Sequence, residues 1–253
     1  YDFILVHDNS IYDEFTRIGP KRAGESVRRL TDKIDKLLTL GRERIDLNVI
    51  FVSLHGSIEV LPANQRTLDD YISMDMINKT VGDGALMQII AKPGQTHQIY
   101  SQLRNHSPIP SVNVYYTAPK VGNLPDHYNY KLSPTVSDIV LIANPGYAIY
   151  TRDEARRFPV QYMKRPMGVS GYNGKYREML GIFMAYGPLF RRGYSKGALE
   201  VLDIYVLLCT ILKIEDCNPT SGSIQRVQDV LVKGIVSSSP SYSFTITLFI
   251  FIL

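Results

Sequence analysis

The sequence predicts an α/β protein with a mostly parallel central sheet, and three observations carry that prediction. An apolar run at Asp2–His7 is followed by Val27, Leu30, Ile34, Leu37 and Leu38 at helical spacing, and then by a second apolar run, Leu47–Ser53. Strand, helix and strand at this interval make a βαβ unit, whose crossover connection produces parallel strands. A third apolar run, Leu180–Ala185, lies between the Gly-rich stretch Gly168–Gly174 and Gly187-Pro188. Its length and flanking turn signals suit a buried strand better than a helix. Leu199, Leu202, Tyr205, Val206 and Cys209 then recur at helical spacing.

Taken in order, Asp2–His7 leads into a polar loop that begins at Asp8-Asn-Ser and reaches Gly19-Pro20. The helix from Glu25 has a stop signal at Gly41. Leu47–Ser53 is the second buried strand, Gln98–Leu103 is helix-like and Val112–Tyr116 strand-like. Lys21–Gly24 and Lys120–His127 are polar loops rather than linkers, and there is no internal repeat. In open parallel sheets ligands gather at the carboxyl ends of the strands. The loops to inspect are therefore Asp8–Pro20 and Leu54-His55-Gly56.

With 253 residues and a net charge of +4, the chain has the size and balance of an ordinary globular protein. Its basic residues are scattered in short groups such as Arg28-Arg29, Arg156-Arg157 and Arg191-Arg192. A nucleic-acid groove needs a clustered basic stripe, so no nucleic acid is expected as a partner. Cys209 and Cys217 are spaced to close a disulfide across a helix C-terminus, and two free buried thiols fit the spacing equally. Sequons at Asn78-Lys-Thr and Asn105-His-Ser make Asn78 and Asn105 candidate glycosylation sites in an extracellular or cell-surface protein. Tyr1 opens directly on a strand-like run, without Met or leader, and reads as the continuation of a longer chain.

A Ser-rich stretch, Ser237–Ser243, precedes the apolar tail Phe244–Leu253. The tail is too short to span a bilayer, which takes roughly 20 residues. Small residues, a polar spacer and an apolar end suggest a GPI-anchor signal, although the spacer from Ser239 is shorter than the usual ~8–12 residues. A truncated membrane segment or an out-of-frame tail are the rivals.

The residues of the Gly-rich stretch and of the segment after it are more specific than their periodicity. Met167-Gly-Val-Ser-Gly-Tyr-Asn-Gly leads to Met179, Ile182, Phe183, Ala185, Gly187, Pro188 and Phe190, and then to Tyr205, Leu207 and Cys209. This resembles the end of the catalytic domain in the ectonucleotide pyrophosphatase/phosphodiesterase family of the alkaline-phosphatase superfamily. There the pattern is Gly-x-His-Gly-Tyr-Asp-Asn, then Met-x-x-Ile-Phe-x-Ala-x-Gly-Pro-x-Phe. Asp69–Ile72 resembles the family's short helix after the second metal loop. Ser137–Ala143 with Asn144-Pro-Gly-Tyr147 resembles its Gly-Asp-Ile-x-Leu-x-Ala-Asp-Glu-Gly-Trp. The resemblance runs from residue 1 to about 228. It implies an alkaline-phosphatase-like three-layer fold, with 1–230 as the C-terminal portion of the catalytic domain and 231–253 as spacer and tail.

The resemblance also implies zinc, and here the residues depart from it. The family's Asp-x-x-Gly-His-x-x-Gly-Pro, aligned on Gly19-Pro20, puts Tyr12 and Thr16 at the ligand positions and Phe15 at the Gly, with Asp13 one residue away. Ser-Asp-His-Gly-Met has become Ser53-Leu54-His55-Gly56-Ser57, and the third loop's metal-binding His falls on Ser170. His55 alone stands in place, and Asp13 is the nearest substitute, so these two are the candidate metal ligands. Zinc needs nitrogen, thiolate or carboxylate donors, at least three from protein in a catalytic site. The expectation is a relative that keeps the scaffold and a nucleotide or phosphodiester ligand but not the zinc-dependent hydrolysis, with no catalytic residue of its own. The alternative is an active phosphodiesterase whose metals use His7, Asp8, Asp13 and His55, its Thr nucleophile lying in sequence before Tyr1. A lone His55 hydrogen-bonded to backbone at a strand end is the plainer reading, and His97, His106 and His127 read as surface or loop residues.

Overall fold

The computed structural model of the chain describes residues 3–19, 23–43, 47–117, 122–128, 130, 137–157, 164–218, 220–233 and 247–252. These residues gather in two compact units, each assembled from separated stretches of sequence.

The first unit comprises 1–11, 25–54 and 181–253 and is organised around strand β2, Leu47–Val52. Every residue of β2 is buried, the signature of a strand covered on both faces. Its side chains alternate between two cores. Leu47, Val49 and Phe51 pack against Ile34, Leu37 and Leu38 of helix α2, Gly24–Glu43. Ile50 and Val52 pack against Leu207, Ile211, Val227 and Val230, contributed by the Val201–Leu212 helix and the short helical turns after Ser223. Helix, sheet and helix give three layers, as the resemblance implies. The α2 helix runs through Gly41 to Glu43: one helical glycine costs only about 1 kcal/mol, which a packed helix absorbs.

The sheet order in this unit is β1 (Phe3–His7), β12 (Thr247–Ile252), β2 and β11 (Phe183–Tyr186). β1, β12 and β2 are mutually parallel, while β11 joins β2 antiparallel. The parallel prediction therefore holds for β1 and β2, with a partner inserted that the sequence did not suggest. The apolar tail, expected to be an anchor signal or membrane segment, supplies Thr247–Ile252 as an inner strand of the sheet. The Leu180–Ala185 run is also corrected: its strand begins at Phe183 and lies on the sheet edge, with Ile182, Met184 and Tyr186 exposed. Only one face of β11 is covered, Phe183 and Ala185 packing on the core, so alternate side chains reach solvent and a continuous apolar run did not mean burial on both faces.

The loop expected from Asp8 to Pro20 is mostly helix. Helix α1 spans Ser10–Ile18 and is started by Asp8, whose carboxylate accepts the Ser10 backbone N–H at 2.9 Å. Cys209 and Cys217 form a disulfide with a Cα–Cα distance of 6.4 Å, settling the choice between bridge and free thiols. It ties the last turn of the Val201–Leu212 helix to the chain beyond Lys213, which stands in the left-handed conformation that ends the helix. Closing this short loop is worth about 2–3 kcal/mol. Cys217→Ser is expected to lower the urea unfolding midpoint accordingly. Reductant is expected to bring the wild type down to the variant's level and leave the variant unmoved.

The second unit comprises 12–24 and 55–180. Its main sheet is antiparallel, in the order β5 (Ile77–Val81), β6 (Leu86–Ala91), β8 (Ile139–Ala143) and β7 (Val112–Tyr116). Met87, Ile89, Leu141 and Ile139 join Ile99, Leu103 and Ile149 in its core. Two smaller pairs complete it: β3 (Ile58–Val60) with β10 (Met167–Val169), and β4 (Gln65–Thr67) with β9 (Ala148–Tyr150). Gln98–Leu103 is helical as expected, Thr96–Ser101 continuing into a π-helical turn at Gln102–His106. Val112–Tyr116 is a strand with the expected limits. No helix among the described residues is long and apolar enough to cross a membrane.

Candidate functional site

Three stretches that lie far apart in sequence meet in the second unit: α1, the His55–Ser57 loop and the start of β10. Gly168 is their point of contact. A Cβ there would stand 2.3 Å from Phe15 Cδ1, 3.0 Å from the Phe15 carbonyl and 3.0 Å from Ser57 Oγ. Any side chain at 168 would push α1 or the His55–Ser57 loop away. β3 continues directly from that loop and pairs antiparallel with β10, Ile58 opposite Val169, which fixes the loop beside Gly168. Gly56 is held from the other side, its N–H donating to the Met179 carbonyl at 3.0 Å. These are the three loops in which the family resemblance implies metal ligands.

Their side chains are aromatic and hydroxylic. Tyr12 sits edge-on to His55, ring centroids 5.8 Å apart and planes at 79°. Thr16 turns its hydroxyl back on its own helix, donating to the Tyr12 and Asp13 carbonyls at 3.0 Å each. His55 is exposed, with Nδ1 2.9 Å from the Gly56 carbonyl, the backbone contact expected of a histidine at a strand end. Asp13 is exposed on α1, Leu54 is exposed, and Ser170 is half-buried after β10. Ser57, which sequence reasoning did not single out, has a buried Oγ without a hydrogen-bond partner among the described residues. Only its spatial proximity to Gly168 marks it.

Of the ligands of the alternative reading, Asp8 is otherwise engaged. Asp8 accepts Lys33 Nζ at 3.0 Å in addition to Ser10. Hydrogen bonds from Ser10, then the Lys33 charge, hold its carboxyl at about 2, so it is ionised and committed to capping α1. His7 is exposed on β1. Among the described residues no group of three or more His, Cys, Asp or Glu side chains could hold a metal ion. One imidazole and at most one carboxylate, Asp13, among neutral hydroxyls and a phenol fall short of zinc, which takes at least three imidazole, thiolate or carboxylate donors from protein in a catalytic site.

Beside the three loops, Tyr172 and Asn173 anchor the turn after Ser170. The buried Tyr172 hydroxyl donates to the Tyr147 carbonyl at 2.6 Å, and burial pushes its phenol well above the usual tyrosine range. The Asn173 amide reaches His127 Nε2 at 3.2 Å and the Tyr128 hydroxyl at 3.3 Å. His127 is thus exposed but linked to this turn, more than the surface histidine expected. His97 and His106 are exposed and line an open pocket of about 420 Å³ with Gln98, Ser101 and Gln102. Asn78 is the extra residue of a β-bulge on the edge strand β5, and Asn105 lies on the π-helical turn; both are exposed.

Residues 1–173 match the family model described as type I phosphodiesterase / nucleotide pyrophosphatase. Human ectonucleotide pyrophosphatase/phosphodiesterase family member 5 is 29% identical over 202 residues, covering 80% of this chain and 39% of the relative. Human bis(5′-adenosyl)-triphosphatase is 27% identical over 216 residues, covering 82% and 44%. The chain thus spans about two fifths of these curated relatives. Among solved structures, human ectonucleotide pyrophosphatase/phosphodiesterase 5 superposes with a TM-score of 0.75 at 27% identity, over 87% of this chain and 56% of that one. The murine protein, solved as an inactive variant in complex with AMP, superposes with the same score at 26% identity.

Proposed function

The chain belongs to the type I phosphodiesterase / nucleotide pyrophosphatase family, and from that premise we propose that it is a nucleotide-binding relative that does not hydrolyse its ligand. One observation carries the reading. The three loops that match the family's ligand loops come together around Gly168, but with Tyr12, Thr16, Leu54 and Ser170 at the ligand positions and His55 as the one matching imidazole. Two-metal phosphoryl transfer requires both ions to stabilise the attacking and leaving oxygens. A scaffold without the ions keeps shape and loses that stabilisation. A nucleotide is the proposed ligand class because a structural neighbour was solved with AMP. Residues 1–230 are proposed as the C-terminal portion of the family's catalytic-type domain. The proposed setting is extracellular, supported by the Cys209–Cys217 disulfide and by exposed sequons at Asn78 and Asn105.

Zinc content tests the reading. Full-length protein purified without chelator is expected to carry no stoichiometric zinc by elemental mass spectrometry. Calorimetry is expected to show AMP binding that does not change on adding zinc, with no hydrolysis of a nucleotide phosphodiester. Two tightly held zinc ions per chain would overturn non-hydrolysis. Binding of AMP only in the presence of zinc would overturn metal-independent recognition.

A further inference from the structure

We propose that the three-loop site of the second unit recognises the nucleobase of its ligand, with the Tyr12 ring as the stacking face. The inference rests on the nucleotide-binding reading above and adds which part of the nucleotide the site holds. Tyr12 and His55 come from different loops and meet as an edge-on pair, ring centroids 5.8 Å apart and planes at 79°. An edge contact engages one face of one ring and the rim of the other, so the pair does not close itself off to a third ring. Tyr12 is 40% exposed. Its backbone is fixed, because it belongs to helix α1, and Phe15 one turn on is seated against Gly168, where a Cβ would stand 2.3 Å from the Phe15 ring. An aromatic ring held out to solvent on an ordered helix loses little further freedom when a planar ligand stacks on it.

The charges on α1 favour the base over the phosphate. Asp13 and Glu14 follow Tyr12 directly, and their carboxylates repel a phosphate but not an uncharged ring. Arg17, the cation of this helix, lies about 140° round it from Tyr12, while Thr16 lies about 40° away and shares its side. The Thr16 hydroxyl is spent on the Tyr12 and Asp13 carbonyls. Ser170, half-buried after β10 at the same junction, is a neutral hydroxyl of the kind that bonds the polar edge of a base. Every base has a π-face, and stacking on an aromatic side chain is tolerant of base identity. The ligand class is therefore a nucleoside, with the phosphate contributing little to its hold.

Calorimetry of the full-length protein with AMP, adenosine and ribose phosphate tests the proposal. AMP and adenosine are expected to bind within about threefold of each other and with little dependence on salt, and ribose phosphate far more weakly than either. Tyr12→Ala is expected to weaken AMP and adenosine alike by at least about tenfold, and Tyr12→Phe, which keeps the ring, by less than about threefold. In proton NMR the adenine ring protons are expected to shift upfield on binding, since they then lie over a ring face. Ribose phosphate binding as tightly as AMP would overturn base recognition. So would AMP binding at least about tenfold tighter than adenosine with a steep loss in salt, the mark of phosphate contacts. Unshifted adenine protons in the saturated wild type would overturn stacking whether or not the variants fold, and a folded Tyr12→Ala protein with wild-type affinity would remove Tyr12 from the site. Failure of both AMP and adenosine to bind would instead overturn the nucleotide-binding reading itself.

Discussion

Asp203→Ala is expected to destabilise the protein by about 3 kcal/mol, read as a lowered urea midpoint with an unchanged slope. The Asp203 side chain is fully buried in the first turn of the Val201–Leu212 helix. Its two oxygens are saturated. Arg226 Nη2 donates to Oδ1 at 2.6 Å and Arg226 Nε to Oδ2 at 3.0 Å, while the Ser223 and Glu200 backbone N–H groups donate at 2.8 and 3.3 Å. Alanine removes every acceptor at once and leaves two backbone donors and a guanidinium without their partner. Arg226 is exposed and also reaches Glu200 and the Ser221 carbonyl, so its charge relaxes toward water. That is why the expected loss lies at the lower end for a broken buried ion pair. Asp203→Asn keeps the shape and part of the hydrogen bonding, and is expected to fall between alanine and wild type.

The same carboxylate gives the prediction a pH signature. Hydrogen bonds from Arg226, opposed in part by burial and helped by Ser223 and Glu200, hold its pKa at about 2 against an unfolded value of 3.8. A folded-state pKa below the unfolded one means that the unfolded chain binds protons first as pH falls. The stabilisation is complete above pH ~4 and is lost between there and pH ~2. Stability of the wild type is expected to drop across that window, and Asp203→Ala to flatten the drop. The flattening is partial, because Asp8 is depressed to about 2 as well and contributes over the same range. An equal drop in variant and wild type would remove Asp203 from the account.

Periodicity made β2 and α2 legible because each meets its neighbours in the simplest way: β2 is apolar throughout and buried on both faces, and α2 presents one stripe. Elements that meet them differently were harder to read. The α1 helix has Ile11, Phe15 and Ile18 at helical spacing, but Asp8-Asn-Ser ahead of them reads equally as a loop or as a helix start. The edge strand β11 and the inner strand β12 are both short apolar runs. Only the partners on either side distinguish an edge, an interior and a membrane segment, and partners are not a property of the run itself. The family resemblance pointed to three loops, and the structure brings those loops together at Gly168. The contacts made there were not legible in the sequence. The edge contact of Tyr12 on His55 and the buried hydroxyl of Ser57 depend on Gly168 drawing the loops together.

Gly181→Ala is expected to cost about 3 kcal/mol, the upper end of what overpacking usually costs, through the first unit's sheet. A Cβ at 181 would lie 1.7 Å from the Ser53 carbonyl oxygen and 2.7 Å from its carbon. Both obstacles are backbone, so no rotamer change can relieve the contact. The space exists because the chain entering β11 crosses close over the chain leaving β2, where the Ser53 N–H donates to the Ile182 carbonyl at 2.8 Å. Moving the two apart to admit a methyl breaks that hydrogen bond and strains the adjoining β2–β11 pairing, Val52 opposite Phe183. Faster exchange of the Ser53 amide is therefore expected alongside the lowered melting temperature. Gly174→Ala is the control, since a Cβ there meets nothing within 4 Å. It is expected to be neutral or slightly stabilising, because alanine narrows the unfolded ensemble more than glycine does. If Gly181→Ala melts with Gly174→Ala and the wild type, the close crossing is not a constraint on the fold. The family resemblance at Met179, Ile182 and Phe183 would then have some other physical cause than the approach of these two strands.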